Sequence, residues 1–368
     1  MNASHRTYRL SPDTIRIGRG AAENLAEIAA ELGRSPLVLA DAGGRDAADR
    51  PLDELTRDLQ ETEFRPFAGE CTQDLIEGLT ARADAHDLLV GIGGGKALDA
   101  AKAAADRGGV PCITLPTSAA TCAAYTPLSI LHEADGSYVE SVRLSQPVAA
   151  LIVDPDLIVS APHRLLAAGI VDALARAFDT ILAARIDVPS ETAATSLAIC
   201  RQYLTETLLP LADQALRDNR RGEATDAFTR VVEACILGAG LAGETGARFF
   251  GRSFSHAVAY ALSHVVDPDG VLHGEAAGLG ILVQCALDPD SPVPFEDMIE
   301  ALEAWGLPTS FAEAGAGLSG TGGLALARRT VDYLDLKRAI PFPVDEERIL
   351  EVMIAIDQGT PFDPVDER

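Results

Sequence analysis

Lysine is nearly missing from this chain: of 30 basic residues only Lys96, Lys102 and Lys337 are lysines, against 55 acidic residues. A net charge of −25 argues against nucleic-acid binding, which needs a basic patch to meet phosphate. Strong acidity with arginine in place of lysine fits a surface adapted to high salt, where screening removes self-repulsion. A merely acidic, arginine-preferring composition is the plainer alternative. Long apolar runs are missing too, and none reaches the roughly 18 residues that span a bilayer, so no membrane role is expected. The opening Met-Asn-Ala-Ser-His-Arg-Thr-Tyr has no apolar h-region, so no secretory signal is expected and the cytoplasm is the expected location. Cysteines are few and scattered: Cys71, Cys112, Cys122, Cys200, Cys235 and Cys285 form no CxxC pair. They fit reduced thiols better than a disulfide framework. No internal repeat or low-complexity tract interrupts the chain.

What is present begins with a glycine loop. Residues 87–102 read Asp-Leu-Leu-Val-Gly-Ile-Gly-Gly-Gly-Lys-Ala-Leu-Asp-Ala-Ala-Lys. A short apolar run breaks into Gly93, Gly94 and Gly95, then Lys96, and a helical Ala/Leu pattern follows at once. Strand, glycine turn and helix start present bare backbone N–H groups to a phosphate at the positive end of a helix. The spacing matches neither GxGxxG nor the P-loop, and a tight turn using glycine only for its dihedrals is the plain alternative. Upstream, Pro-Leu-Val-Leu-Ala-Asp (36–41) is a buried-type strand ending in Asp41. An acid there accepts hydrogen bonds from an adenosine ribose and repels a 2′-phosphate, which favours NAD over NADP. Arg45 lies close enough in sequence to leave NADP possible.

Strand-like runs recur at 36–41, 88–92, 111–115 and 149–153, with helical stretches at Ala21–Leu32 and Asp74–Ala85. This alternation predicts a parallel sheet covered by helices. Beyond Pro162 the pattern turns to long Ala/Leu-rich helical segments. Pro155 and Pro162 punctuate the change, and at 368 residues two domains are expected. They are an α/β dinucleotide-binding domain over 1–158 and an all-α domain over 159–368.

The helical half holds the chemistry. Asp172 sits in Ala-Gly-Ile-Val-Asp-Ala-Leu, His256 in Arg-Ser-Phe-Ser-His-Ala-Val, and His273 in Leu-His-Gly-Glu. Asp-Pro-Asp-Gly (267–270) between the histidines is a strong turn signal, and a helix, that turn and a returning helix would bring the two imidazoles together. One carboxylate and two imidazoles with open positions suit a catalytic site for a borderline divalent ion, Zn²⁺ or Fe²⁺. Alternatively, Asp172 is a helix residue paired to Arg176 at i+4 and each histidine a hydrogen-bonded core residue.

Four motifs in order resemble those of a known family: residues 91–102 of the glycine loop, Leu-Pro-Thr-Ser-Ala-Ala-Thr-Cys-Ala-Ala-Tyr-Thr-Pro-Leu-Ser (115–129), Ala-Gly-Ile-Val-Asp-Ala-Leu-Ala (168–175) and Leu-His-Gly-Glu (272–275). From about residue 10 to residue 350 the chain resembles the glycerol dehydrogenase group of the iron-containing alcohol dehydrogenase superfamily. The resemblance implies a dehydroquinate synthase-like architecture, with a Rossmann-like nucleotide-binding domain, a helical domain and an active site between them. It also implies one divalent metal on Asp172, His256 and His273, and a cofactor bordered by Thr117, Ser118, Thr126, Leu128 and His132. Many iron-dependent relatives carry a further histidine one turn after the first, where this chain has Ala259 or Tyr260, so zinc is expected rather than iron. A homo-oligomer, dimer to octamer, is the expected assembly.

Two details bear on the substrate. The loop acid that binds the polyol in glycerol dehydrogenases is replaced by Cys122, a weak donor and poor acceptor. The surrounding Thr-Cys-Ala-Ala-Tyr-Thr-Pro-Leu-Ser and the Arg248-Phe249 pair are similar to the hydroxycarboxylate dehydrogenase branch, which reduces 2-oxo acids. Arginine is the natural bidentate partner of a carboxylate, and Arg248, Arg252 and His256 fall at i, i+4 and i+8, as if on one side of a helix. Hydride transfer between NAD and a 2-hydroxy acid is therefore the expected activity, with a metal-bound water chain handling the proton and His264 or His132 as possible helpers. A polyol dehydrogenase is the alternative. A dehydroquinate synthase-type lyase would need a glutamate ligand and several lysines, and a non-catalytic nucleotide-binding relative is disfavoured by the complete trio.

Overall fold

The computed structural model describes residues 11–361 other than 44–53, 55, 60–61, 84, 189, 251–253, 268–269, 335–339 and 343. Two compact units divide the chain. The first is Met1–Thr117 with Ala123–Leu131 and Ser141–Asp154; the second is Ser118–Cys122, His132–Glu140 and Pro155–Arg368. The units therefore meet in sequence at Pro155, and two short segments before that point, Ser118–Cys122 and His132–Glu140, group with the helical unit.

The first unit is built on the strands β1 (Thr14–Ile17), β2 (Pro36–Ala40), β3 (Glu63–Pro66), β4 (Leu88–Gly93) and β5 (Cys112–Pro116). After β6 (Leu128–His132) and β7 (Tyr138–Arg143), which pair with each other, β8 (Ala150–Val153) completes the main sheet. The order is β1-β8-β5-β4-β2-β3, parallel throughout. Central strands β2, β4, β5 and β8 are buried at every position, as the continuous apolar runs foretell for strands covered on both faces. The sequence pattern passes over β1 and β3, because these edge strands expose alternate or most side chains and carry no continuous apolar run.

A short 3₁₀ turn at Ala21–Asn24 leads into α1 (Leu25–Leu32), followed by α2 (Gln73–Ala83) and α3 (Gly95–Gly108). Small residues let α3 lie close over β4: a Cβ on Gly91 would stand 2.8 Å from that of Ala101. Lys102 in α3 is wholly buried; its ammonium pairs with Asp99 at 2.8 Å and donates to the carbonyls of Ala123 (2.6 Å), Thr126 (2.9 Å) and Leu128. A hydrogen bond from the Ile130 N–H to Asp99, 3.0 Å, completes the tie between α3 and segment 123–130. The order in which strands are added to the sheet reverses between β2 and β4, and in open parallel sheets ligands bind at the carboxyl ends of strands at such a point.

The second unit is helical: α4 (Pro155–Ile158), α5 (His163–Ala184), α6 (Glu191–Gln202), α7 (Leu209–Arg221), α8 (Asp226–Glu233), α9 (Ala239–Phe250), α10 (Phe254–Leu262), α11 (His273–Leu287), α12 (Phe295–Trp305), α13 (Thr321–Tyr333) and α14 (Glu346–Gln358). Helices α5 and α11 are buried almost all round, the signature of core helices. They touch through glycine, since a Cβ on Gly274 would lie 1.9 Å from the Ala168 carbonyl oxygen. Among the described residues no helix is long and apolar enough to cross a membrane.

Candidate functional site

The candidate metal-ligand trio assembles from three buried helices of the second unit. Asp172 lies in the middle of α5, His256 in the first turn of α10 and His273 at the first position of α11. Their ligand atoms all fall within 4.8 Å of one another. The carboxylate Oδ1 of Asp172 stands 3.4 Å from His256 Nε2 and 3.5 Å from His273 Nε2. For bonds of about 2.1 Å, a tetrahedral ion sets neighbouring donor atoms about 3.4 Å apart. The donor set and its spacing therefore fit a divalent metal. The two imidazoles lie side by side, with ring centroids 5.7 Å apart; residues 268–269 of the turn expected between them lie outside the described residues.

The surroundings tune these ligands. His256 Nδ1 meets Asp179 Oδ2 at 2.7 Å, so the ring is held with Nε2 turned to the ligand cluster. Asp179 also accepts from the Ser255 N–H at 2.9 Å, locking the start of α10. Burial and the Arg176 cation would lower His256, yet its bonds to Asp172 and Asp179 hold its pKa above the ordinary value. Burial would raise the Asp172 carboxyl, but the His256 hydrogen bond and the nearby His273 hold it below the usual carboxylate range. Burial keeps His273 below its ordinary value, in the neutral form that binds metal. His273 is set by the start of α11, where Glu275 accepts from the Leu272 N–H at 2.8 Å. Arg164 grips that glutamate with two bonds of 2.6 and 2.7 Å. Asp179 and Glu275 were not among the site residues expected from the sequence; Asp179 stands seven residues after Asp172, two turns along the same helix face, and that spacing is its one local signal.

Cys122, Arg176, Tyr260 and His132 complete this neighbourhood. Asp172 is not salt-bridged to Arg176, the i+4 alternative; its carboxylate faces the two imidazoles instead. Tyr260 lies beside His273, ring centroids 5.8 Å apart, and beside Tyr138 at 4.9 Å. His132 is close enough to His273 to act on it electrostatically. His264 is engaged by the Tyr333 hydroxyl at 2.9 Å.

The predicted cofactor residues divide between the units. In the first, Asp41 Oδ2 accepts from the Gly94 N–H at 2.7 Å, and the Thr117 N–H donates to the Gly93 carbonyl at 3.1 Å. Gly93, at φ 144, could carry no side chain, because a Cβ would fall 2.4 Å from the Asp41 carboxylate. Asp41, Gly93, Gly94, Gly95 and Thr117 thus cluster at the carboxyl ends of β2, β4 and β5. Lys96 is paired to Glu70, which offsets its charge. Thr126 and Leu128 turn their carbonyls to Lys102. Ser118 and His132 belong to the second unit. Arg248 lies in α9, its side chain outside the described residues, as are Arg252 and Arg45. Arg248 and His256 were expected, with Arg252, on one side of a helix; Arg248 falls in α9 and His256 in α10, and residues 251–253 between them lie outside the described residues.

A family model described as iron-containing alcohol dehydrogenase matches residues 12–155. Hydroxycarboxylate dehydrogenase A of Escherichia coli is 35% identical over 251 residues, 67% of this chain and 68% of that protein. Glycerol dehydrogenase of Pseudomonas putida is 33% identical over 312 residues, 82% and 84% of the two chains. The chain belongs to the iron-containing alcohol dehydrogenase family. A crystal structure of a probable glycerol dehydrogenase from Sinorhizobium meliloti 1021 superposes with TM-score 0.83 at 28% identity, covering 96% of this chain and 99% of that one. The α/β domain followed by a helical domain is thus the family architecture, and the protein is an oxidoreductase of this family.

Proposed function

We propose that this protein is an NAD(P)-linked, metal-dependent dehydrogenase that interconverts a small 2-hydroxy acid and its 2-oxo acid. Cys122 carries the substrate reading. The position that the resemblance assigns to a polyol-binding acid is a thiol here, in the same unit as the trio and electrostatically coupled to an arginine. A carboxylate at 122 would repel an anionic substrate; a thiol does not. The similarity to a protein named hydroxycarboxylate dehydrogenase A supports the same choice.

Asp172, His256 and His273 would hold the metal, with zinc preferred because Ala259 or Tyr260 stands where a further histidine would favour iron. Bound there, such an ion supplies a Lewis acid for the substrate oxygen, favouring departure or arrival of hydride at that carbon. Asp179 fixes the tautomer of His256, and the Arg164–Glu275 pair fixes the helix start that carries His273. Asp41 and the N–H groups of the Gly93–Gly95 turn would hold the dinucleotide, the acid opposing a 2′-phosphate.

The test is a substrate screen of zinc-loaded protein at molar KCl, comparing NADH oxidation by 2-oxo acids with NAD⁺ reduction by glycerol and diols. Turnover of 2-oxo acids with little on polyols supports the reading. Efficient glycerol oxidation without any activity on 2-oxo or 2-hydroxy acids would replace it with a polyol dehydrogenase.

A further inference from the structure

We propose that Arg176, rather than Arg248, is the receptor for the substrate's carboxylate, an assignment that rests on the 2-hydroxy acid reading above. Arg176 follows Asp172 by one turn of α5, so the two side chains share a helix face with Cβ atoms about 5–6 Å apart. In a 2-oxo acid the carboxylate is bonded directly to the reacting carbon. A receptor for it must therefore stand within one helical turn of the metal ligands, and Arg176 does.

The guanidinium is surrounded but not spent. The Asp172 and Asp179 carboxylates of the same helix act on it electrostatically, as Cys122 and Tyr260 would only if ionised, and its charge acts on both His256 and His273. Neither neighbouring acid pairs with it. Asp172 faces His256 and His273, while Asp179 is committed to His256 Nδ1 and the Ser255 N–H. Among the described residues, no acceptor takes a hydrogen bond from the Arg176 guanidinium and no acid lies within ion-pair distance of it. A half-buried arginine in this condition has lost water without gaining a fixed partner, which is costly unless an anion completes it.

Gly243 of α9 abuts Arg176, and a Cβ there would stand 4.0 Å from its Nε, so no side chain from that position covers the donor. The planar fork of five donors matches a carboxylate bidentately. Cys122 is the second element of the selectivity: an acid at that position would neutralise Arg176 internally, whereas a thiol leaves the cation for the substrate.

The experiment uses metal-loaded, full-length wild type, Arg176→Gln, Arg176→Lys and Cys122→Asp. Each is assayed with a 2-oxo acid and with the corresponding neutral 1-hydroxy-2-ketone, alongside bound metal per chain and calorimetric binding of oxamate to the NADH-loaded enzyme. Arg176→Gln is expected to lower the acid-to-ketone ratio of kcat/KM on the order of tenfold to a hundredfold, chiefly through KM. Oxamate binding should weaken in parallel, bound metal should be retained, and Arg176→Lys should recover part of the loss. Cys122→Asp should lower the same ratio, and it carries the test if Arg176→Gln fails to fold. An unchanged ratio in Arg176→Gln, or in Cys122→Asp should the former not fold, overturns the assignment while leaving the acid reading intact. Wild-type enzyme that reduces the ketone but no 2-oxo acid overturns the substrate reading itself and the assignment with it.

Discussion

His256 Nδ1 lies 2.7 Å from Asp179 Oδ2, and Asp179 sits two turns beyond Asp172 on the same helix, α5. One helix thus provides a candidate metal ligand and the carboxylate that aims a second candidate. Outer partners of this kind typically account for tenfold to a hundredfold in metal affinity, by roughly. Asp179→Asn should weaken zinc binding by about that factor, measured by chelator competition, while the protein stays folded by circular dichroism. Unchanged affinity would show that His256 needs no such partner.

Lys102 illustrates a buried charge that is fully used. Removing its ammonium leaves Asp99 and three carbonyls without it. Lys102→Met should destabilise the first unit by about 3–5 kcal/mol, seen as an earlier urea transition of the metal-loaded protein. A variant as stable as wild type would mean water replaces the ammonium at no cost.

Gly274 directly follows His273, a candidate metal ligand, and packs on backbone. An added methyl would collide with the Ala168 carbonyl at 1.9 Å, so Gly274→Ala must push α11 away from α5 and His273 away from Asp172. The expected result is a loss of about 1–3 kcal/mol in stability together with weaker zinc binding, measured on the same preparation. Intact zinc affinity would show that the trio tolerates the shift.

For the dinucleotide, Asp41→Asn should raise the use of NADP relative to NAD by removing a charge that opposes the 2′-phosphate. The ratio of kcat/KM for NADPH over NADH measures it. A wild-type enzyme already faster with NADPH would contradict this role of Asp41.

The central strands and the metal trio were legible in the sequence because each rests on a local or strongly typed signal: apolar runs for β2, β4, β5 and β8, and rare carboxylate and imidazole residues around a turn for the site. The edges β1 and β3 were not legible, since half-exposed strands lose their apolar run. Arg176 was visible only as an i+4 neighbour of Asp172; that it forms no ion pair depends on where His256 and His273 arrive from other helices. Arg248 drew attention through a helical spacing that runs across residues 251–253, which lie outside the described residues. Asp179 was readable by periodicity, yet its partner comes from α10, 77 residues on, and no local pattern announces it.

The most direct test of the account is reconstitution of metal-depleted protein with zinc, following NADH oxidation by a 2-oxo acid in wild type and in His273→Ala. The account predicts no turnover without metal, full recovery at one zinc per chain in wild type, and none in His273→Ala, with NADH binding retained in both. Wild-type turnover from metal-free His273→Ala protein would contradict it.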